Sequence, residues 1–383
     1  IDYPQSARVV IPRTTEVAFS NDVLLAWNSV RGTSTTSTSL ATYGNNSNGG
    51  SAAVAYSAVP GIAATEAGWI AFADGLSADG NSADIYLAKT DGTARTRIAA
   101  AISVAAACRP QLAFNYRTLV ISACASGTTS ATVSSVDATT GVVTTIKSGV
   151  LPGLQRVATF FLFNDATTSY YTYGTGATAI DKPLQLPVLA GKNVVYAVGR
   201  QLRAFDPSMY TPLPHDVALL ADAPVQLVAS PDGTQLAYWT HAGEYHDLAL
   251  VTISTGVVRP LRSDFAALAG FTDDSSNLLL LDNVDSSHAG ALVAVPLSGA
   301  PTRTLAASVT QVAPARASKI LFTETGRDHI SLLRLADVAS DAAVVTLAKD
   351  VDVAGFTTDT DRSRVLFSRS KMPNQGLYLS PIP

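Results

Sequence analysis

The sequence predicts an all-β chain folded as a single β-propeller of four-stranded antiparallel blades over residues 1–383, and three observations predict it. The first is a repeated apolar strand. Tyr238, Leu280, Phe322 and Phe367 hold equivalent places in short apolar runs, at steps of 42, 42 and 45 residues. A fixed period in that range is the signature of a propeller blade. The second is the turn before each run: Ser230-Pro231-Asp232-Gly233, Thr272-Asp273-Asp274-Ser275, Ala317-Ser318-Lys319 and Asp361-Arg362-Ser363. The third is a recurring hairpin after it. Asp84–Lys89, Val133–Val136, Leu248–Ile253 and Leu292–Pro296 each lead through a Gly-containing turn into another extended run. Asp91-Gly92 is the strongest of these signals, because both turn positions tolerate positive φ.

The elements follow in order. Residues 6–12, with Ala7-Arg8-Val9-Val10-Ile11, read as a strand with no partner of its own nearby. Leu25–Trp27, Ile70–Phe72, Leu119–Ile121 and Val194–Tyr196 are earlier copies of the second strand, called b, of successive blades. Residues 32–51 are rich in Ser, Thr, Asn and Gly and read as a polar surface loop. Residues 151–215 are irregular: Gln155–Phe163 reads as one long strand without a turn, and Tyr170–Tyr173 and Ala177–Ile180 as two more. Merging that stretch gives eight blades, with seven and nine as the alternatives. The chain ends on Leu377-Tyr378-Leu379, a third strand lacking a fourth. The strand at 6–12 is expected to fill that place and close the ring, which removes two exposed sheet edges. An open or capped solenoid is the alternative.

Composition limits the partners. Hydrophobic residues make up 47% and charged residues 15%, against a usual charged share of roughly 25%. The surface must therefore be covered by Ser, Thr, Asn and Gln, which suits an extracytoplasmic protein. A net charge of −4 excludes a nucleic-acid partner, which requires a basic patch. No apolar stretch is long enough to be a transmembrane segment. The chain begins at Ile1, and removal of a signal peptide or a lipoprotein leader is the expectation. Cys108 and Cys124 flank a hairpin whose turn is Asn115–Thr118, with Arg109 opposite Cys124. A bulge or twist brings the two sulfurs within bonding range, so a disulfide is expected. Two buried free thiols are the alternative. No cofactor and no metal site are indicated, since neither cysteine has a second ligand at chelating spacing.

The phrase Ser230-Pro231-Asp232-Gly233 before an apolar strand resembles the blade motif of TolB-like propellers, also called WD40-like or PD40 repeats. The match is good over 225–263, fair over 264–383, and earlier consists mainly of hairpin spacing. The resemblance implies the fold and a bacterial envelope location. It carries over no catalytic residue, because the motif is structural: Asp232 is expected to bond its own turn.

The register places candidate chemistry on the b–c loops. His241, Glu244 and His246 fall in one, Asp285 and His288 in the next, then Glu324, Arg327, Asp328 and His329, and last Arg369. Imidazole beside carboxylate suits binding, a transition metal or acid–base chemistry, and a binding rim for a protein or glycan is the preferred reading. His215 is expected on the surface, and Trp27, Trp69 and Trp239 in interblade packing. The function expected is therefore a non-enzymatic binding or scaffold module, periplasmic, outer-membrane-associated or secreted. A propeller enzyme (lyase, lactonase or glycosidase) using the same face is one alternative. A structural subunit of a surface layer or filament is another.

Overall fold

The computed structural model describes residues 8–11, 16–20, 23–31, 36–43, 51–55, 57–209, 213–242, 245–262, 267–284, 289–325, 330–340, 344–358, 361–369 and 376–383. Among them the regular structure is all strand apart from a 3-10 turn at Ala106–Cys108. The chain divides into two compact units, residues 13–184 and residues 1–12 with 185–383. The first strand, β1 (Arg8–Ile11), belongs to the latter.

Residues 13–184 form four four-stranded antiparallel sheets, each from strands consecutive in sequence. The first is β2 (Glu16–Ser20), β3 (Val23–Arg31), β4 (Thr36–Tyr43) and β5 (Ser51–Ala55). The second is β6 (Ala58–Glu66), β7 (Trp69–Asp74), β8 (Ser82–Lys89) and β9 (Thr96–Ser103). Then come β10 (Gln111–Asn115), β11 (Thr118–Ala123), β12 (Ala131–Asp137) and β13 (Val143–Val150). The last is β14 (Gln155–Val157), β15 (Phe160–Asn164), β16 (Ser169–Thr172) and β17 (Thr178–Asp181).

The other unit opens with β18 (Gln185–Ala190), β19 (Asn193–Val198), β20 (Gln201–Phe205) and β21 (His215–Leu219). Next are β22 (Gln226–Ala229), β23 (Gln235–Ala242), β24 (Tyr245–Thr252) and β25 (Val257–Arg262). A seven-stranded sheet follows: β26 (Ala267–Phe271), β27 (Asn277–Asp282), β28 (Gly290–Pro296), β29 (Arg303–Pro314), β30 (Lys319–Thr325), β31 (Ser331–Asp337) and β32 (Val345–Lys349). The last sheet has the order β1-β35-β34-β33, with β33 (Val351–Thr358), β34 (Arg364–Arg369) and β35 (Gly376–Pro381). The N-terminal strand thus supplies the missing fourth place, pairing Arg8 with Leu379 and Val9 with Tyr378.

The repeated apolar runs are the second strands of these sheets, and burial explains their composition. Ile70, Ala71, Phe72 and Ala73 are fully buried, as are Val194–Ala197, Leu278–Leu280 and Ile320–Phe322. Side chains alternate between the two faces of a strand, so such a run feeds both neighbours. Leu278 and Leu280 pack on Ala237 and Leu250 of the preceding sheet, whereas Leu279 packs with Ile320 and Phe322. Val120 and Val133 likewise meet Phe161 and Phe163, while Leu119 and Ile121 meet Ala71 and Ile85. These are four-stranded antiparallel blades in a propeller arrangement, stacked face to face within each unit. Each fully buried Leu or Phe contributes about 1.5–3 kcal/mol.

The structure corrects three expectations. Eight equal blades are not formed: among the described residues there are seven four-stranded sheets and one of seven strands. The exception arises because β29 runs 12 residues without a turn and pairs with both β28 and β30. Residues 32–51 are not all loop, since β4 occupies Thr36–Tyr43 and pairs with β3 over its whole length. Its alternating Thr residues favour a strand, and Leu40 within it is fully buried. Residues 155–163 are not one strand, because the chain reverses at Ala158, whose φ is +52°. That reversal gives the irregular stretch a sheet of its own, β14–β17.

Cys108 and Cys124 form a disulfide with Cα atoms 5.8 Å apart. The hairpin pairing ends with Gln111 opposite Ser122, two residues short of Cys124. The 3-10 turn ending at Cys108 then swings that side chain back into reach.

Candidate functional site

In residues 185–383 the turns joining first to second strands touch one another in succession. The Asp232 carboxylate accepts from the Ser230 hydroxyl at 2.6 Å and the Thr234 amide at 3.1 Å, and Ser230 Oγ accepts the Gln235 amide at 2.9 Å. Burial pushes the Asp232 carboxyl up, but these hydrogen bonds pull it further down, below its ordinary value. Asp232 is a turn-former, as the motif implies. Thr272 and Asp274 repeat the arrangement, and so do Ser77 and Asp79 in the β7–β8 connection. From this turn the Asp232 amide donates to Ser275 Oγ at 3.0 Å, the Asp274 amide to Ala317 O at 3.1 Å, and Arg316 pairs with Asp361 at 3.0 Å.

Two glycines let the sheet β18–β21 and the sheet β22–β25 approach by backbone alone. Gly233 has φ +71°, and a Cβ there would stand 2.1 Å from the Gly191 nitrogen. Gly256 has φ +68°, and a Cβ there would stand 2.1 Å from the Val217 carbonyl oxygen. Only glycine meets both demands.

Between these contacts lies a cavity of about 390 Å³. Its polar walls come from Asn193, His215, Asp216, Thr234, Ser254 and Thr255. It sits at the a–b and c–d turn ends of the strands, the end away from the b–c loops. Asp216 pairs with Arg203 at 3.0 Å, and the Thr234 hydroxyl donates to Asp232 at 2.9 Å. The Thr255 hydroxyl accepts the Val257 amide at 3.4 Å. Among the described residues no hydrogen bond holds the side chains of Asn193, His215 or Ser254; Asn193 is half-buried, while Ser254 and, as the sequence led one to expect, His215 are exposed to solvent. A concave site with a few polar groups left free to bond a ligand is one form of small-ligand site.

The b–c loop residues fare differently. Glu244, Asp285, His288, Arg327, Asp328 and His329 lie outside the described residues, as do the side chains of His241 and His246. The backbone register sets His241 directly opposite His246 on β23 and β24. Glu324 ends up paired with Arg334 on the adjacent strand at 2.7 Å. Arg369 is buried, donates from Nε to Lys349 O at 2.8 Å and lies over the Tyr378 ring at 5.2 Å. Trp239 bonds Gln226 across the β22–β23 pair at 2.9 Å. Among the described residues no three His, Cys, Asp or Glu side chains gather as metal ligands.

Sequence reasoning missed the cavity. His215 stands at the start of a fourth strand rather than in a motif, and Asn193 and Ser254 are ordinary polar residues near turns. The one available signal was the glycine of Asp232-Gly233, whose lack of a side chain admits the neighbouring sheet.

No family model matches the chain, and no curated protein matches it. Solved structures similar to it include the β-propeller domain of the trilobed protease from Pyrococcus furiosus, described as having an open velcro topology. That match is 10% identical with a TM-score of 0.44, covering 89% of this chain and 98% of the other. A putative TolB from Agrobacterium tumefaciens is 13% identical with a TM-score of 0.35, covering 63% and 94%. The tricorn protease is 14% identical with a TM-score of 0.36, covering 96% of this chain. This chain spans 47% of the tricorn protease chain. The blade assignment rests on the sheets themselves.

Proposed function

We propose that the protein is a non-enzymatic binding module of the bacterial cell envelope or exterior, taking its ligand in the cavity between β18–β21 and β22–β25. The observation that carries this reading is the set of three polar side chains on that cavity, those of Asn193, His215 and Ser254, that no protein group holds, while Asp216 and Thr234 beside them are already bonded. Such a lining offers hydrogen bonds without an activated nucleophile: among the described residues no bond joins His215 to Ser254. The Cys108–Cys124 disulfide supports an oxidising compartment, periplasmic or extracellular. Among the described residues no helix is long and apolar enough to cross a membrane. The b–c loops remain the proposed rim for a protein partner.

The test is turnover against binding. The purified chain is incubated with panels of esters, lactones, glycosides and uronic-acid polymers, with His215→Ala as control. The expected result is no product formation above the variant. Product formation that His215→Ala abolishes makes the protein an enzyme instead. Light scattering separates a discrete particle, the expected state, from the growing assemblies of a surface-layer subunit.

A further inference from the structure

We infer that the cavity binds a neutral polyhydroxylated ligand, one or two sugar units of a glycan, through the Asn193 amide, the His215 imidazole and the Ser254 hydroxyl. This rests on the binding-module reading and names the ligand class of that module.

The chemistry of the lining selects among ligands. No lysine or arginine is among the lining residues, and the adjacent Arg203 is taken up by Asp216, so an anion gains little. Asp216 is the one carboxylate there, and Arg203 at 3.0 Å offsets it, so a cation gains little. The apolar side chains present are Val217 and Ile253, too few to hold a peptide side chain by burial. What remains is a set of hydrogen-bond donors and acceptors. A carboxamide carries two N–H donors and a carbonyl acceptor, an imidazole two ring nitrogens, and a hydroxyl is both donor and acceptor. Sugar hydroxyls are donor and acceptor at once, so they lose water without leaving either partner unsatisfied.

Size and rigidity agree. A volume of about 390 Å³ lies at the small end of ligand pockets, roughly 300–1,000 Å³. The walls are fixed before binding by the Gly233–Gly191 and Gly256–Val217 contacts, which lowers the ordering cost. No aromatic ring is among the lining residues to stack on a sugar face, so a single site binds weakly. Useful avidity then comes from a polymeric glycan meeting many copies of the protein.

The experiment titrates the full chain with glucose, galactose, N-acetylglucosamine, maltose and chitobiose, reading the His215 ring resonances by NMR. Inorganic phosphate and a short Ala-Ser peptide run in parallel. The expected result is a saturable, salt-independent shift by at least one sugar. Asn193→Ala and Ser254→Ala should each raise the dissociation constant roughly fivefold, the loss of one hydrogen bond, with unchanged melting. Thr139→Ala, away from the cavity, should leave it alone. If phosphate or the peptide moves His215 and no sugar does, the glycan assignment falls and the binding module stands. If nothing moves it, both fall. If a sugar is converted to product, the non-enzymatic reading falls and the ligand class stands.

Discussion

In residues 13–184 the Glu66 carboxylate accepts the Tyr116 amide of the next sheet at 2.9 Å and pairs with Arg156 of the sheet after at 3.1 Å. In residues 185–383 Asp273 does the same, accepting the Ala317 amide at 3.3 Å and pairing with Arg362. Both devices join three successive repeats at their a–b turns, yet they share no sequence motif. Glu66 is the last residue of β6, whereas Asp273 lies inside a turn. The acid is also more buried in the first case, 16% exposed against 37%. Position in the repeat defines the staple, and residue type follows from the reach required. The units differ further in reinforcement. Residues 13–184 carry the disulfide, while in residues 185–383 Gly233 and Gly256 bring neighbouring sheets together against backbone.

That contrast can be broken most forcefully at the disulfide. Replacing Cys108 and Cys124 by serine should destabilise residues 13–184 by about 3 kcal/mol, the chain-entropy value for a loop of this length, as read by chemical denaturation. An unchanged midpoint would mean that packing alone fixes the hairpin. Next is a glycine pair. Gly233→Ala meets positive φ and the Gly191 backbone together, and should cost about 3 kcal/mol and abolish ligand binding. Gly68→Ala, with φ +81° and open space around it, should cost only about 1 kcal/mol. Equal losses would show that φ, not the backbone contact, is what matters at Gly233.

The staples themselves come third. Glu66→Ala should cost about 1–2 kcal/mol, since an amide loses its acceptor along with the ion pair. Asp273→Ala should cost about 0.5 kcal/mol, its charge being better solvated. Denaturation midpoints of the two variants decide the order. The smallest effect is a titration. The Thr167 amide and the Tyr170 hydroxyl, bonded to Asp165, hold its carboxyl down at about 2. A depressed folded value means that this contribution to stability is complete above the ordinary value near 3.8 and is lost as the pH falls towards about 2. NMR titration should find the low midpoint, and Tyr170→Phe should move it up.

Much of the fold was legible, and particular residues show why. Leu278–Leu281 and Ile320–Phe322 announce their strands because a strand packed on both faces has no polar position. The Cys108–Cys124 pair was readable from hairpin register. The reversal at Ala158 was not, because an alanine at φ +52° leaves no mark in the sequence. Nor was the continuity of β29, whose Ser308 and Thr310 look like turn residues. For the candidate site the sequence favoured histidine-bearing b–c loops. The cavity instead collects Asn193, His215 and Ser254 from three separate turns and strand ends, a convergence set by sheet-to-sheet distance rather than by spacing along the chain.

By itself the sequence determined the blade repeat, the second strands and the turn-forming role of Asp232, and it favoured the disulfide, all matters of local pattern and short-range register. Tertiary structure alone decided that β29 would join two repeats, that Glu66 and Asp273 would become staples, and that His215 would face a cavity. These depend on how one sheet's turns meet the next, at separations of tens of residues. Packing density governs those contacts, and it leaves no periodicity to read.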